Sequence, residues 1–156
     1  MDRVKVGVIG CGMISDIYMT NIKQKYSNIL EICGCADMLG EKAQSQAEKY
    51  GIKAMTIEEI FNDQDIELLL NLTIPTAHAE VSKKALQSGK SVYSEKPIAT
   101  EIEDAKELVA LAKEKGLYIG CSPDTFLGGG LQTVRKLLDV VCGNIFCGKH
   151  FKDGIS

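Results

Sequence analysis

The chain has 156 residues, a net charge of −3 and an apolar content of 45%. This length and composition suit one domain with a full core, and the lack of a basic patch excludes a nucleic-acid-binding surface. No apolar run reaches the length of a bilayer span, so we expect no membrane partner. The N-terminal residues lead directly into a predicted strand without a signal peptide, and we therefore expect a cytoplasmic location.

The first stretch, residues 4–15, predicts a strand, a glycine turn and the start of a helix. Residues 4–9 are mostly apolar and β-branched, which is typical of a strand buried on both faces. The chain then turns through Gly10-Cys11-Gly12 and enters a helical pattern. The predicted buried stripe of this helix consists of Ile14, Ile17, Tyr18 and Ile22.

The glycine turn is a candidate phosphate site. The N–H groups at the start of a helix have no intrahelical partner, and the helix dipole is positive there. Gly10 permits the tight turn, and Gly12 lacks a Cβ, so a pyrophosphate can approach the backbone. Ser15 takes the third glycine position of G-x-G-x-x-G, where a small residue still allows close packing. An ordinary glycine-rich turn is the alternative, but the flanking strand and helix favour dinucleotide binding.

Asp37 follows the second apolar run, residues 30–36. An acidic residue at the end of the second strand of a dinucleotide site accepts hydrogen bonds from the adenosine ribose and repels a 2′-phosphate. The next residues, 38–40, carry no cation, which favours NAD over NADP. The alternative is that Asp37 caps the next helix, and the two roles are compatible.

Strands and helices alternate along the rest of the chain. Predicted strands are residues 52–54, 66–72, 91–94 and 117–120, and predicted helices are residues 41–50, 56–62, 77–88, 100–116 and 129–141. Capping boxes are predicted at Thr56 with Glu59 and at Thr100 with Glu103. The alternation predicts an α/β fold, a Rossmann-type doubly wound parallel sheet of about six strands with helices on both faces. Ligands of such a sheet bind beyond the carboxyl ends of the strands.

The six cysteines are spread along the chain and form no C-x-x-C pair. In an intracellular α/β domain, cysteines without such spacing are typically small buried thiols. We therefore predict no disulfide and no metal site.

The loop after the fifth predicted strand reads Glu95-Lys96-Pro97. Proline fixes its own φ and biases Lys96 towards an extended conformation, so the lysine side chain leaves the backbone in a defined direction. A lysine aimed at a nicotinamide ring can hold a substrate hydroxyl, assist proton transfer or stabilise developing negative charge. The alternative for this residue alone is a solvated surface lysine.

Three segments together resemble the glucose–fructose oxidoreductase and inositol dehydrogenase family (Gfo/Idh/MocA), over about residues 3–140. They are the glycine turn at residues 10–15, the Thr73-Ile74-Pro75 loop with His78 three residues on, and the Glu95-Lys96-Pro97 loop. The resemblance implies a nucleotide-binding Rossmann domain that is followed in the family by a larger α/β substrate domain. It also implies NAD or NADP as the cofactor and pyranose-like sugars or cyclitols as substrates.

The resemblance implies roles for individual residues as well. Lys96 would be the catalytic lysine, and Glu95 and Lys96 would lie near the nicotinamide ribose and ring. The implied cofactor-binding set is Gly10, Gly12, Met13 and Ile14 at the pyrophosphate, Asp37 at the adenosine ribose, and Thr73, Pro75, His78, Glu95 and Lys96 along the rest of the cleft. For His78 the alternative is a histidine at a helix start that binds the backbone.

The family's other catalytic groups, an Asp and a His of the second domain, have no counterpart in this sequence, whose histidines are His78 and His150. We therefore predict that residues 1–141 form an NAD(P)-binding domain. Residues 142–156 are predicted to be an irregular tail or the start of the crossing into a missing substrate domain. Such a chain should bind NAD but turn over sugars poorly by itself.

A second hypothesis is a non-catalytic NAD-sensing or protein-interaction module. An apolar face is predicted at the last helix, made of Leu127, Leu131, Val134 and Leu138, and such a face favours a dimer or another homo-oligomer. A third hypothesis is a Rossmann domain of the methyltransferase kind, which fits Asp37 but not Glu95-Lys96-Pro97.

Overall fold

The computed structural model describes residues 2–122 and 128–141, with side chains as far as residue 137. The chain divides into two compact units, residues 1–122 and 123–156. The strands are Val4–Ile9 (β1), Leu30–Ala36 (β2), Lys53–Ala54 (β3), Leu68–Asn71 (β4), Ser91–Ser94 (β5) and Ile119–Cys121 (β6). The helices are Met13–Lys25 (α1), Gly40–Tyr50 (α2), Ile57–Asn62 (α3), His78–Gln87 (α4), Ile102–Lys115 (α5) and Gly129–Val141 (α6), and a 3₁₀ turn, Pro75–Ala77, precedes α4.

The strands form one six-stranded sheet in the order β3-β2-β1-β4-β5-β6. Every neighbouring pair is parallel. The strand order reverses beside β1, because β2 and β4 flank it on opposite sides. The predicted fold class, a Rossmann-type doubly wound parallel sheet, is therefore confirmed.

The sheet has a buried apolar cluster on each face. On one face, Val6 and Val8 of β1 pack with Met19 of α1. On the other face, Leu69 of β4 packs with Leu86 of α4, and Leu108 of α5 belongs to the same cluster. Helices thus cover both faces, and successive strand residues contribute to opposite layers.

The buried face of α1 differs from its predicted stripe. Ser15, Met19 and Ile22 are the buried residues of this helix, whereas Ile14 is 43% and Ile17 is 58% exposed. The prediction was wrong for these two isoleucines because the buried face is formed by Ser15, Met19 and Ile22, and includes a small polar residue that the apolar pattern left out. Ser15 is fully buried, and its hydroxyl donates to the Gly12 carbonyl over 2.6 Å, so the buried hydroxyl has its partner within the first turn of α1.

One predicted capping box is confirmed and the other is wrong. Thr56 accepts a hydrogen bond from the Glu59 amide, and the Glu59 carboxylate accepts one from the Thr56 amide. The helix near Thr100 instead begins at Ile102 with Glu101 as its N-cap and no side-chain cap bond. Thr100 lies one residue too early in the chain to reach the third amide of this helix.

The four cysteines among residues 2–122 are free thiols, and Cys11 and Cys35 are buried. The predicted tail at residues 142–156, with the other two cysteines, lies outside the described residues. Within the described ranges, the helices are too short or too polar to cross a membrane. Over the same ranges, His, Cys, Asp and Glu side chains form no group of three that could hold a metal ion.

Candidate cofactor-binding site

The last residues of five neighbouring strands lie in one row across the sheet. Ile9 is in register with Ala36 and with Asn71, Asn71 with Ser94, and Ser94 with Cys121. The first residue after four of these strands donates its amide to the last residue of the neighbouring strand, in the pairs Gly10 to Ala36, Leu72 to Ile9, Glu95 to Asn71 and Ser122 to Ser94. The loops that carry the predicted site residues therefore leave the sheet from a common line.

The glycine turn after β1 requires its first glycine for two reasons. Gly10 has a φ of +102°, which L side chains rarely adopt. A Cβ at this position would lie 2.4 Å from the carbonyl oxygen of Leu72. A Cβ on Gly12, in contrast, would meet no atom within 4 Å. The absence of a Cβ at Gly12 thus leaves space beside the backbone that the protein itself does not use.

The N-terminus of α1 opens onto that space. Gly12 is its N-cap and makes no side-chain cap bond, and the amides of Met13 and Ile14 are too early in the helix to have an intrahelical acceptor. The Met13 side chain is 97% exposed. Free amides, a positive helix end and an open Gly12 are the features that bind a phosphate group. The residues present therefore fit the pyrophosphate of a dinucleotide.

Asp37 connects the end of β2 with the glycine turn. Its Oδ2 accepts a hydrogen bond from the Cys11 amide over 2.8 Å, and its Oδ1 accepts one from the Leu39 amide over 2.9 Å. The alternative interpretation, in which Asp37 caps the following helix, is wrong because the N-cap of α2 is Leu39. Each carboxylate oxygen can still accept a second hydrogen bond, so the ribose role predicted for Asp37 remains a prediction that this geometry permits.

A cleft of about 250 Å³ lies beside Gly10, Gly12 and Asp37. Apolar side chains form much of its wall, and its lining consists of Ile9, Gly10, Gly12, Asp37, Met38, Lys42, Ile57, Leu72, Thr73, Ile74, Ala77 and Val81. Lys42 brings a cation to this cleft, which the sequence analysis missed by considering only the residues directly after Asp37. Lys42 is the third residue of α2, so it belongs to the first turn of that helix, which follows the end of β2.

A buried amide organises the loop after β4. Asn71 is fully buried, and its Oδ1 accepts a hydrogen bond from the Thr73 hydroxyl over 2.7 Å. Its Nδ2 donates to the His78 carbonyl and to the Ser82 hydroxyl, each over 2.9 Å. The backbone of Thr73 and the start of α4 are therefore held by one side chain. A polar residue inside an apolar strand was the sequence signal for this role.

His78 joins the loop after β4 to the loop after β5. The side chain is 1% exposed, its Nδ1 lies 2.5 Å from the Pro97 carbonyl oxygen, and its Nε2 lies 3.0 Å from the Thr73 carbonyl oxygen. These are the backbone contacts of the alternative interpretation, and a direct cofactor role for His78 remains a prediction. Pro75, the first residue of the 3₁₀ turn, is exposed beside this loop.

Glu95 is the centre of a half-buried hydrogen-bond cluster. Its Oε1 accepts from the Tyr18 hydroxyl over 2.7 Å and from the Ser122 hydroxyl over 3.2 Å. Its Oε2 accepts from the Lys96 amide over 3.1 Å. Burial raises the pKa of Glu95, but the hydrogen bonds from Tyr18, Lys96 and Ser122 outweigh it, and the pKa is lowered overall. Burial also raises the pKa of Tyr18, so both groups keep the protonation states that their hydrogen bond requires.

Lys96 stands next to this cluster with an exposed side chain. Its backbone is fixed on both sides, by the Glu95 carboxylate at its own amide and by His78 at the Pro97 carbonyl. The Lys96–Pro97 peptide bond is cis. Sequence reasoning selected this loop but missed the contributions of Tyr18 and Ser122, which come from distant parts of the chain.

Comparison with known proteins identifies relatives over most of the chain. It is 28% identical to inositol 2-dehydrogenase of Salmonella typhimurium over 116 residues, which cover 72% of this chain and 34% of that enzyme. Among solved structures, it is similar to the 3-ketoreductase KijD10 of Actinomadura kijaniata in complex with NADP and TDP-benzene, with 26% identity and a TM-score of 0.80 over 88% of this chain and 42% of that one.

A second solved structure is similar to this chain to the same extent. The WlbA dehydrogenase of Bordetella pertussis, in complex with NADH and UDP-GlcNAcA, is 26% identical with a TM-score of 0.80, over 88% of this chain and 42% of that one. Our chain thus spans less than half the length of these proteins. The model of the oxidoreductase family with an NAD-binding Rossmann fold matches residues 4–122. The chain accordingly belongs to the Gfo/Idh/MocA oxidoreductase family.

Proposed function

We propose that residues 1–141 form the NAD(P)-binding domain of an oxidoreductase that acts on sugar-like or cyclitol alcohols. The observation that carries this proposal is the common line of strand ends, which places the open glycine turn, Asp37 and the Lys96 loop at one edge of the sheet. The substrate class is supported by relatives that are named for inositol or were solved with sugar nucleotides.

The proposed roles follow the order of the loops along this edge. The amides of Met13 and Ile14, with Gly12, hold the pyrophosphate, and Asp37 binds the adenosine ribose. The dinucleotide supplies the hydride acceptor or donor, while this chain binds it and orients its nicotinamide end. Lys96 is the catalytic residue in this proposal, because an exposed ammonium on a fixed backbone can bind a substrate oxygen and share a proton with it.

The choice between NAD and NADP depends on two side chains of opposite charge. The Asp37 carboxylate disfavours a 2′-phosphate, whereas Lys42 lines the same cleft and is a potential phosphate ligand. We propose that NAD is preferred, because Asp37 is held at the strand end by two amides. NADP then binds more weakly, with Lys42 as its partner.

By itself, the chain is proposed to turn over sugars poorly. It spans about a third of the length of the inositol 2-dehydrogenase that it resembles, and a substrate must be positioned against the nicotinamide for hydride transfer. Positioning of reactants contributes about 7–11 kcal/mol in well-oriented reactions. Robust reduction of NAD by this chain with a single polyol would contradict this part of the proposal.

The direct test is calorimetric titration of the purified chain with NAD and with NADP. We expect NAD binding that weakens at least tenfold in Asp37→Ala, with a smaller loss in Asp37→Asn, which keeps one acceptor oxygen. Asp65→Ala is the control, because Asp65 is exposed and pairs with Lys5 near the amino ends of the strands. If the wild-type chain binds neither nucleotide, the proposed function is wrong for this chain.

The second candidate function, an NAD-sensing or protein-interaction module, is favoured by helix α6. Leu131, Val134 and Leu137 of this helix are 51%, 50% and 56% exposed. Leu127 of the predicted face lies outside the described residues, as does the side chain of Leu138. Exposed leucines at such spacing favour self-association. A monomeric sedimentation profile at high protein concentration would argue against the homo-oligomer, and Leu131→Glu is expected to shift an oligomer towards monomer.

A further inference from the structure

Tyr18 connects two parts of the site that are far apart in sequence. It belongs to α1, the helix that begins at the glycine turn. Its hydroxyl donates to Glu95, 77 residues away, over 2.7 Å, and lies 3.0 Å from the hydroxyl of Ser122, 104 residues away. The Tyr18 ring also packs against the apolar cluster between α1 and the sheet. The hydroxyl is therefore held in place by a ring that is anchored in the core.

The carboxylate of Glu95 is largely used inside the protein. Oε1 accepts hydrogen bonds from Tyr18 and Ser122, and Oε2 accepts one from the Lys96 amide. A carboxylate has about four acceptor sites. Three of them are used by groups of the protein, so one position is left for a ligand. Because one of its partners is the Lys96 amide, the Glu95 carboxylate contributes to holding the Lys96 backbone in place.

Two other contacts of the Lys96 loop lead to different elements. His78 connects Pro97 to the start of α4, and the Glu95 amide connects the loop to β4. Neither reaches α1. Within the part of the chain that the structure describes, the Tyr18–Glu95 hydrogen bond joins α1 and this loop directly through side chains.

We infer that Tyr18 is a positioning residue, which acts through Glu95 to fix the distance between the pyrophosphate-binding end of α1 and the Lys96 loop. This inference rests on the proposed function and extends it, because it assigns the fit of the nicotinamide half of the dinucleotide to a residue outside the three motif loops. The adenosine and pyrophosphate half should bind without this contact, since the glycine turn and Asp37 are complete by themselves.

The experiment compares NAD with ADP-ribose, which has the same adenosine and pyrophosphate but no nicotinamide. The full chain is titrated calorimetrically with each ligand as wild type, as Tyr18→Phe and as Tyr26→Phe. Tyr26 is the matched control, because it is the C-cap residue of the same helix and is 48% exposed. We expect Tyr18→Phe to weaken NAD binding about tenfold, since a hydrogen bond to a charged group is lost, and to change ADP-ribose binding less than twofold.

Each outcome has a definite meaning. An equal loss for NAD and ADP-ribose would show that the phenol merely supports α1, and unchanged binding of both would show that it has no role. Either result overturns the inference while the proposed function stands. Glu95→Gln is the second variant, and we expect it to give the same selective loss, because an amide cannot accept from Tyr18, Ser122 and Lys96 at once. Failure of the wild type to bind both ligands overturns the proposed function and this inference together.

Discussion

The Nδ1 atom of His78 lies 2.5 Å from the carbonyl oxygen of Pro97, although the two residues belong to different loops. The same ring faces the Thr73 carbonyl through Nε2. A buried imidazole that joins two backbone carbonyls acts as a cross-link between the cleft wall and the Lys96 loop, and this makes its contribution to stability testable.

We expect His78→Leu to lower the free energy of unfolding by about 1–3 kcal/mol, because the buried ring is lost and the carbonyl group that accepts from its N–H loses its donor. His78→Gln keeps one donor and should recover part of the loss. Urea denaturation measures both values. Lys83→Ala is the control on the same helix, since Lys83 makes only an exposed ion pair with Glu107. A loss in His78→Leu no larger than in the control would contradict the role of the ring.

The two glycines of the turn after β1 should respond differently to alanine. Gly10→Ala combines a strained backbone with a Cβ 2.4 Å from the Leu72 carbonyl, and we expect it to destabilise the fold by about 3 kcal/mol or more. Gly12→Ala meets no protein atom within 4 Å and should leave stability nearly unchanged. It should nevertheless abolish nucleotide binding, because its methyl group takes the space of the pyrophosphate.

Urea denaturation and nucleotide titration on both glycine variants separate these two roles. Gly12→Ala that binds NAD as the wild type does would show that the pyrophosphate lies elsewhere. Gly10→Ala with wild-type stability would show that the turn can adopt another conformation without strain.

Lys42→Ala is expected to weaken NADP binding about tenfold and to change NAD binding less than twofold. The physical reason is that only NADP carries the 2′-phosphate to which the ammonium of Lys42 can bind. Calorimetric titration with both nucleotides measures the ratio, and Lys113→Ala on α5 is the control for the change of net charge. Equal losses for NAD and NADP would place Lys42 at a phosphate that both nucleotides share.

The acid titration of Glu95 reports on its hydrogen bonds. Its pKa is lowered from 4.5 in the folded chain, since the hydrogen bonds from Tyr18, Lys96 and Ser122 outweigh burial. A carboxyl group whose pKa is lowered on folding stabilises the fold above its unfolded pKa, and this contribution is lost as the pH falls through the folded pKa. Tyr18→Phe removes one stabilising donor, so the Glu95 midpoint should rise.

Carbon-13 NMR of the Glu95 carboxyl group measures that midpoint directly in the ligand-free chain. Tyr26→Phe should leave it where it is in the wild type. A midpoint that is identical in the wild type and in Tyr18→Phe would mean that the phenol does not donate to Glu95 in solution.

Local patterns in the sequence predicted the elements well but predicted their contacts poorly. The alternation of strands and helices gave the fold class, and the Thr56 capping box appeared as expected, because both depend on residues near one another in the chain. The rotation of α1 could not be predicted from its apolar residues, because the small polar Ser15 lies on the buried face with Met19 and Ile22.

In the candidate site, too, residues in local motifs could be predicted, but contacts between distant parts of the chain could not. The glycine turn, Asp37 and Lys96 could be selected from their motifs, because each motif has a mechanism that acts within a few residues. The Tyr18–Glu95–Ser122 cluster spans 104 residues, and the position of Lys42 in the cleft depends on the first turn of α2. Such contacts are determined by strand order and register, which periodicity does not specify.

The register of the strand ends also determines where this chain can tolerate insertions. Because Ile9, Asn71 and Ser94 lie on one line and the next residues continue the ladder, one extra residue inside β1, β4 or β5 would move the side chains on one side of it to the opposite face of the sheet. It would also shift the following loop relative to its neighbours. Extra residues between α3 and β4, or between α4 and β5, enter turns at the opposite edge of the sheet. Length variation should therefore accumulate there, while the edge that carries the glycine turn, Asp37 and Lys96 changes only by substitution.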